Sequence, residues 1–298
     1  MVTSKQLEFK NHKVFETTLA GRPLRVETGK MAGLANGSCL ISYGETTILA
    51  TATASPKPRD GIDFLPLSVD FDEKLYAVGR IPGGYLRREG KPSEKAILTS
   101  RVIDRPMRPL FPKDYRNDVT LDNIVMSVDP DCSPELTAML GSAIATCISD
   151  IPFDGPCAMT QVGLIDGEFI INPTSAQKKV SDLALTVAST REKVIMIEAG
   201  AKEVPEQTMI DAIFKAHEVN QEIIKFIDRI VAECGKEKHT YESCAIPDEL
   251  FAAIKEIVPP AEMEEAVFTD EKQKREENIR QITERLEEAF AENEEWLP

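Results

Sequence analysis

The chain has 298 residues, 42% of them hydrophobic, and 35 Lys and Arg stand against 50 Asp and Glu for a net charge of −15. That length and apolar fraction allow a substantial core and exclude a disordered chain, while the excess of acid excludes a protein that holds polyanions by its overall field. Six scattered cysteines without a CxxC, and three histidines without ligand spacing, argue for free thiols in a reducing compartment and against a disulfide frame or a zinc site.

The amino terminus has no apolar stretch of signal-peptide length, and no later run approaches 18 apolar residues. A soluble, cytoplasmic protein with no membrane partner is therefore expected. From Lys13 the chain reads as short strands bounded by Gly, Pro and Asn. KVFETTLA, RPLRVETGK, SCLISYG and ETTILATATA form an expected antiparallel meander, with PLSVDFDEK as a further strand.

The stretch Gly79–Arg116 follows and differs from its surroundings. It holds ten Lys or Arg against four acids, a local +6. Its first half, PGGYLRREGKP, is too rich in Gly, Pro and charge for an element interior and reads as a long exposed loop. Flexible glycines, the ring of Tyr85, the apolar Leu86 and the paired guanidiniums of Arg87 and Arg88 suit a loop that stacks on a base and grips phosphates. A solvated loop whose arginines pair with nearby acids is the competing reading. Arg80, Lys91, Arg101, Arg105 and Arg108 are candidates for further RNA or phosphate contact.

Ser93 is an expected helix N-cap. Ile97, Leu98, Val102 and Ile103 fall on one side of the helix, Arg101 and Arg105 share another, and Pro106 and Pro109 should stop it. VTLDNIVMSVD is the clearest single strand. Ser133 or Pro134 then opens an apolar helix whose Ala138, Gly141, Ser142 and Ala145 suit close packing on a sheet. CAMTQVGLI with FIIN, and LALTVAST with KVIMIEAG, make two further strand pairs, an echo of the first half. Pro205 begins a long helix with Ile210, Ile213, Phe214, His217, Ile224, Ile227 and Ile230 on its apolar side and Gly235 as its C-cap. His217 there reads as a core histidine rather than a ligand.

After Lys236 the composition changes. KEKHTYESCAIP reads as a linker, PDELFAAIKEIV as a short helix, and Thr269 to about Asn293 as a charged helix. Residues 261–295 carry thirteen acids and five bases, so this helix is expected to be a solvated face laid on a larger body, part of a helical domain cut short.

The segments GRPLRVETGKMAGLANGS, ISYGETTILATAT, IPGGYLRREGKPSEKAILTSRVIDRPMRPLF, IPFDGP, INPT and EAGAKEVPEQ closely resemble the amino-terminal portion of the bacterial polynucleotide phosphorylase family. The resemblance covers nearly the whole chain. It implies an α+β core of the RNase PH type over residues 10–236, followed over residues 237–298 by an incomplete all-helical linker domain. Family members are longer, with a second such core and RNA-binding modules. The family is implied to form a homotrimeric ring that shortens single-stranded RNA from its 3′ end, with inorganic phosphate as co-substrate, Mg²⁺ as cofactor and RNA-degradation machinery as a further partner.

The family's active second core presents two Asp and a Lys before a Val-Ala-Gly. Laid on this chain, those positions are Lys178, Ala184 and Thr186, so the metal carboxylates are missing. Where that core has phosphate-binding serines, this chain has Pro134 and Glu135, and an anionic Glu repels phosphate. The resemblance thus implies no catalytic residue and no metal site here, with Mg²⁺ bound elsewhere in the longer protein. It carries channel-mouth roles onto Tyr85, Leu86, Arg87 and Arg88, with Leu86 departing from the aromatic of many relatives. A self-sufficient phosphorolytic enzyme, with a metal site around Asp70 and Asp72, and a purely structural subunit-contact domain are the alternatives.

Overall fold

A computed structural model describes residues 9–291, which divide into two compact units at Ser243/Cys244. In the first unit, β1 (Lys13–Leu19), β2 (Arg22–Thr28), β3 (Gly37–Tyr43), β4 (Thr46–Ala54), β5 (Leu67–Glu73) and β6 (Val119–Ser127) form one sheet. Its order is β1-β2-β3-β4-β6-β5. The meander holds through β4, but β5 runs parallel to β6, with Asp70 beside Asp122, rather than continuing the antiparallel series. The crossover that parallel pairing demands is supplied by the basic loop and α1 (Glu94–Met107). The β1–β2 connection places Ala20 and Gly21 at positive φ, 48° and 75°, as a tight right-twisted hairpin requires.

A second sheet, order β10-β9-β7-β8, is built from β7 (Ala158–Ile165), β8 (Glu168–Ile171), β9 (Leu183–Ser189) and β10 (Val194–Ala201). The short α3 (Ser175–Val180) lies between β8 and β9, and α4 (Glu206–Cys234) packs on β7 and β9. Between the sheets lies α2 (Pro134–Ile148), buried from Leu136 to Ile148 and packed on β3, β4 and β7. Its small residues allow the approach: a Cβ added at Gly141 would sit 2.8 Å from the Ala50 Cβ and 2.9 Å from Ile41 Cγ2. Buried polar groups are matched. Ser142 donates to Asn123 Oδ1, Thr160 donates to Asn220 Oδ1, and Asn220 donates to Ser189.

Three helix expectations change. Pro106 does not stop α1 but lies inside it, buried with Ile103 and Met107. Proline forfeits one hydrogen bond, and packing of that last turn offsets the loss. The buried face of α1 is Ala96, Thr99, Ile103 and Met107, at three- and four-residue steps, which leaves Ile97 and Leu98 53% and 62% exposed. In α4 the buried line passes through Ala212, Ala216, Asn220, Ile224 and Ile227, so Ile210 and Phe214 stand outside it. His217 is half-buried beside the Gln221 amide, and Gly235 caps α4 with φ −62° rather than in the left-handed region.

The division expected at residue 236/237 falls seven residues later. The segment from Lys236 to Ser243 is held on the core. Lys238 donates to the Thr146, Cys147 and Ser149 carbonyls at 3.2, 3.0 and 2.7 Å, a cation at the carboxyl end of α2. Tyr241 and Ser243 both donate to Asp114.

The second unit contains α5 (Asp248–Ile257), α6 (Pro260–Val267) and α7 (Lys272–Phe290). Val258, Ala266 and Ile282 are its small core, with Ile257 and Leu286 against them. The charged helix thus begins at Lys272, after the expected Thr269, and the end expected near Asn293 lies outside the described residues. No helix among the described residues is long and apolar enough to cross a membrane.

Candidate nucleic-acid interface

The loop before α1 is tied at its base and free at its tip. Glu89 accepts from the Leu75 amide at 3.0 Å, Ser93 donates to Glu73 at 2.7 Å, and Ser93 Oγ accepts from the Ala96 amide at 3.0 Å as the N-cap of α1. Within it the Arg87 amide donates to the Gly84 carbonyl at 3.0 Å, and Arg87 takes a φ of 43°. This turn displays Tyr85, fully exposed, and Leu86, 73% exposed, around an open hollow of about 540 Å³ lined by residues 84–91.

The expected cationic contacts fall into two groups. Arg80, Arg87, Arg88, Lys91 and Arg101 are exposed, and none of their side chains has an ion pair or hydrogen bond among the described residues. Arg105 pairs with Glu198 at 3.3 Å. Arg108 is fully engaged, with two bonds to Asp104 and one each to the Leu65 and Leu67 carbonyls. Exposed, unpaired positive charge beside an exposed ring can hold a polyanion with stacking bases; a guanidinium already bonded four times cannot add much.

The structure also gathers the positions that the resemblance singled out. Glu135, Ala184 and Thr186 line one cleft of about 490 Å³, with Lys95, Leu98, Thr99, Val102, Gln161 and Glu198. Glu135 accepts from Ser133 Oγ, the N-cap hydroxyl of α2, and pairs with Lys95 at 2.9 Å. Burial pushes the Glu135 carboxyl up, but these two partners outweigh it and leave the group below the usual carboxylate range. The same bond raises the Lys95 ammonium. Lys178 is held below its ordinary value by burial, opposed by the field of Glu135 and reinforced by Lys95 and Arg22.

That cleft does not fit a divalent metal. Its carboxylates, Glu135 and Glu198, are each spent on a cation, and a hard cation needs several oxygen ligands together. Among the described residues no group of three or more His, Cys, Asp or Glu is arranged for a metal ion. Asp72 is bonded to Lys74 at 2.6 Å, and burial with the charges of Asp72 and Asp70 pushes Asp122 up.

Sequence reasoning missed the Lys95–Glu135 pair, whose members are forty positions apart and join only when α1 packs by α2. It also missed Arg22, which stacks on Tyr43 and donates to the Asp131 and Asn172 carbonyls. Arg22 thereby ties the first sheet to the segment entering α3.

The chain belongs to the 3′ exoribonuclease family: the sequence models of that family's domain 1 and domain 2 match residues 20–152 and 155–219. It is 73% identical over 287 residues to the polyribonucleotide nucleotidyltransferase of Lachnoclostridium phytofermentans, a match covering 96% of this chain and 41% of that protein. It is 58% identical over 280 residues to the protein of that name from Ruminiclostridium cellulolyticum, covering 94% and 40%. The chain thus spans about two fifths of the length of these relatives. The crystal structure of rice (Oryza sativa) Rrp46 shares the fold, with a TM-score of 0.54, 16% identity, and coverage of 72% of this chain and 93% of that one.

Proposed function

We propose that this chain is the RNA-gripping, ring-building part of a 3′-to-5′ phosphorolytic exoribonuclease, and that the bond-breaking chemistry lies in the remainder of the longer protein. Attack of inorganic phosphate on the terminal phosphodiester would release a nucleoside diphosphate and leave a shortened strand. Mg²⁺ would be held outside this chain, since the cleft around Glu135 offers no set of free oxygens. The observation that carries the reading is the tied loop with an exposed Tyr85 beside unpaired Arg87 and Arg88. In a homotrimer three such loops would ring the mouth of a channel, with six guanidiniums around one strand. The protein would act in the cytoplasm, alongside other RNA-degradation machinery.

The purely structural reading accounts for part of the basic stretch, because Arg105 and Arg108 are already paired with groups on the surface of the first unit. It does not account for the tip. The test is binding of single-stranded RNA by the chain, measured by fluorescence anisotropy against salt. Tyr85→Ala is expected to cost about 1–3 kcal/mol per base stack lost, with the salt slope unchanged. Leu86→Phe is expected to tighten binding by adding a stack. No binding by the parent chain at low salt, or no effect of Tyr85→Ala, would remove the loop from the interface.

A further inference from the structure

The end of the first sheet remote from the basic loop carries a second concentration of positive charge. Gly37, at the start of β3, lies level with Ala52, Leu121 and Val69 across the sheet, whereas the basic loop leaves β5 beyond Glu73, further along the strand. A groove of about 610 Å³ opens at the Gly37 end, bounded by the chain entering β1, the β2–β3 connection and the carboxyl ends of α2 and α4. It is lined by Lys10, Lys13, Lys30 and Lys236 against the single acid Glu233, in a chain of net charge −15. Ile148 in this groove and Glu135 in the other cleft stand at opposite ends of α2, about 20 Å apart along its axis.

The β2–β3 connection is a fixed wall. Gly29, with φ 75°, passes so close to Asn11 that an added Cβ would lie 2.0 Å from the Asn11 carbonyl oxygen, and this contact joins the segments that carry Lys30 and Lys10. Ser38 donates to the Met31 carbonyl at 2.8 Å, and the Ala35 amide donates to the Ala32 carbonyl at 3.1 Å. Lys13 is held by the Glu233 carbonyl and carboxylate, and Lys236 by the Asn36 carbonyl. Glu27, just before the connection, is taken by His12 and Arg25. Lys10 and Lys30 are exposed, and neither ammonium has an ion pair or hydrogen bond among the described residues. Phe9 lines the same groove, 44% exposed.

We propose that this groove is a second contact for single-stranded RNA: Lys10 and Lys30 meet backbone phosphates, Lys13 and Lys236 add field, and Phe9 offers a face to one base. The arrangement favours a strand over a small ligand. Its four cations come from separate segments and all are exposed, whereas a small-molecule site encloses its ligand and aims a few polar groups at it. An open cationic groove with an aromatic face is how proteins hold single strands without reading sequence. Lysine suits that role, being a point charge without the planar fork that reads a base edge. A strand held at both the loop and the groove gains from the high effective concentration of its second end.

This inference rests on the reading that the chain grips RNA, and the test separates the two. Fluorescence anisotropy follows binding of a labelled oligo(U) of about 20 nucleotides, more than one such site covers, to the 298-residue chain as salt is varied. The parent is compared with Lys10→Ala/Lys30→Ala, with Arg87→Ala/Arg88→Ala and with the four-site variant. The lysine variant removes only exposed side chains, so its Tm should stay within about 2 °C of the parent. It is expected to bind at least about fivefold more weakly at low salt, with the slope of log K against log salt lowered by about 1.4, or 0.7 for each of two contacts. The arginine variant should keep a residual affinity that the four-site variant loses. RNA binding that is lost with the arginines but stays within about twofold of the parent in the lysine variant would overturn the groove and leave the loop standing. A parent that binds no RNA would overturn the RNA-gripping reading and the groove together. Lysine-dependent binding of ADP tighter than that of the oligonucleotide would overturn the assignment to a strand and make the groove a nucleotide pocket.

Discussion

Replacing Arg87 and Arg88 by alanine in the intact longer protein is expected to weaken binding of poly(A) and poly(U) by nearly equal factors, with a flattened dependence on salt. Each guanidinium that meets a phosphate releases condensed counterions, and for a single strand each lost contact lowers the slope of log K against log salt by about 0.7. If all six arginines of a trimer touch one strand, the slope should fall by about 4. Affinity at low salt should then drop by more than about 100-fold. Base identity should matter little, because neither side chain has a partner among the described residues that would orient it toward a base edge. Arg108→Ala is the informative contrast. It breaks bonds to Asp104, Leu65 and Leu67, so it should lower stability and leave the salt slope unchanged. An unchanged slope in the double variant, with assembly intact, would assign Arg87 and Arg88 to subunit contacts.

The second large effect is on folding. Gly141→Val is expected to destabilise the first unit by about 3 kcal/mol, because α2 lies so close to β3 and β4 that even a Cβ at this position meets Ala50 and Ile41 inside 3.0 Å. For a unit of this size that corresponds to a fall in Tm of roughly 6–12 °C. Gly33→Ala is the matched control. An added Cβ there meets nothing within 4 Å and its backbone is not left-handed, so its Tm should stay within about 2 °C of the parent. A tolerated Gly141→Val would mean that α2 can move away from the sheet and that the close packing is not what limits it.

Local signals in the sequence were strong where local physics decides the outcome. The strands of the first sheet, the Ser93 cap, the start of α2 at Ser133 or Pro134 and the small-residue face of α2 are all legible in the sequence. Long-range geometry was harder. The parallel pairing of β5 with β6 depends on a crossover, which periodicity does not record. Ile97 and Leu98 look like core residues on an apolar stripe, yet the buried stripe of α1 is set by where β5 and α2 lie. Pro106 survives inside α1 because tertiary packing outweighs propensity at the final turn.

The site was legible in a similarly divided way. The basic loop stands out as a reversal of sign in an acidic chain, so Tyr85, Arg87 and Arg88 could be named from composition and order alone. Which arginines are free could not. Arg105 and Arg108 are as basic in sequence as Arg88, and only the fold brings Glu198 and the Leu65 and Leu67 carbonyls to them. The Lys95–Glu135 pair and the field of Lys178 likewise arise from three separate helices.

The most direct measurement of the central claim, that this chain grips RNA but does not cleave it, is release of nucleoside diphosphate from poly(A) in phosphate and Mg²⁺. The 298-residue chain and the longer protein are assayed in parallel, each against a blank without phosphate. The account predicts phosphate-dependent release by the longer protein and none by the chain, although the chain still binds the RNA. Phosphate-dependent release of nucleoside diphosphate by the chain alone would contradict it.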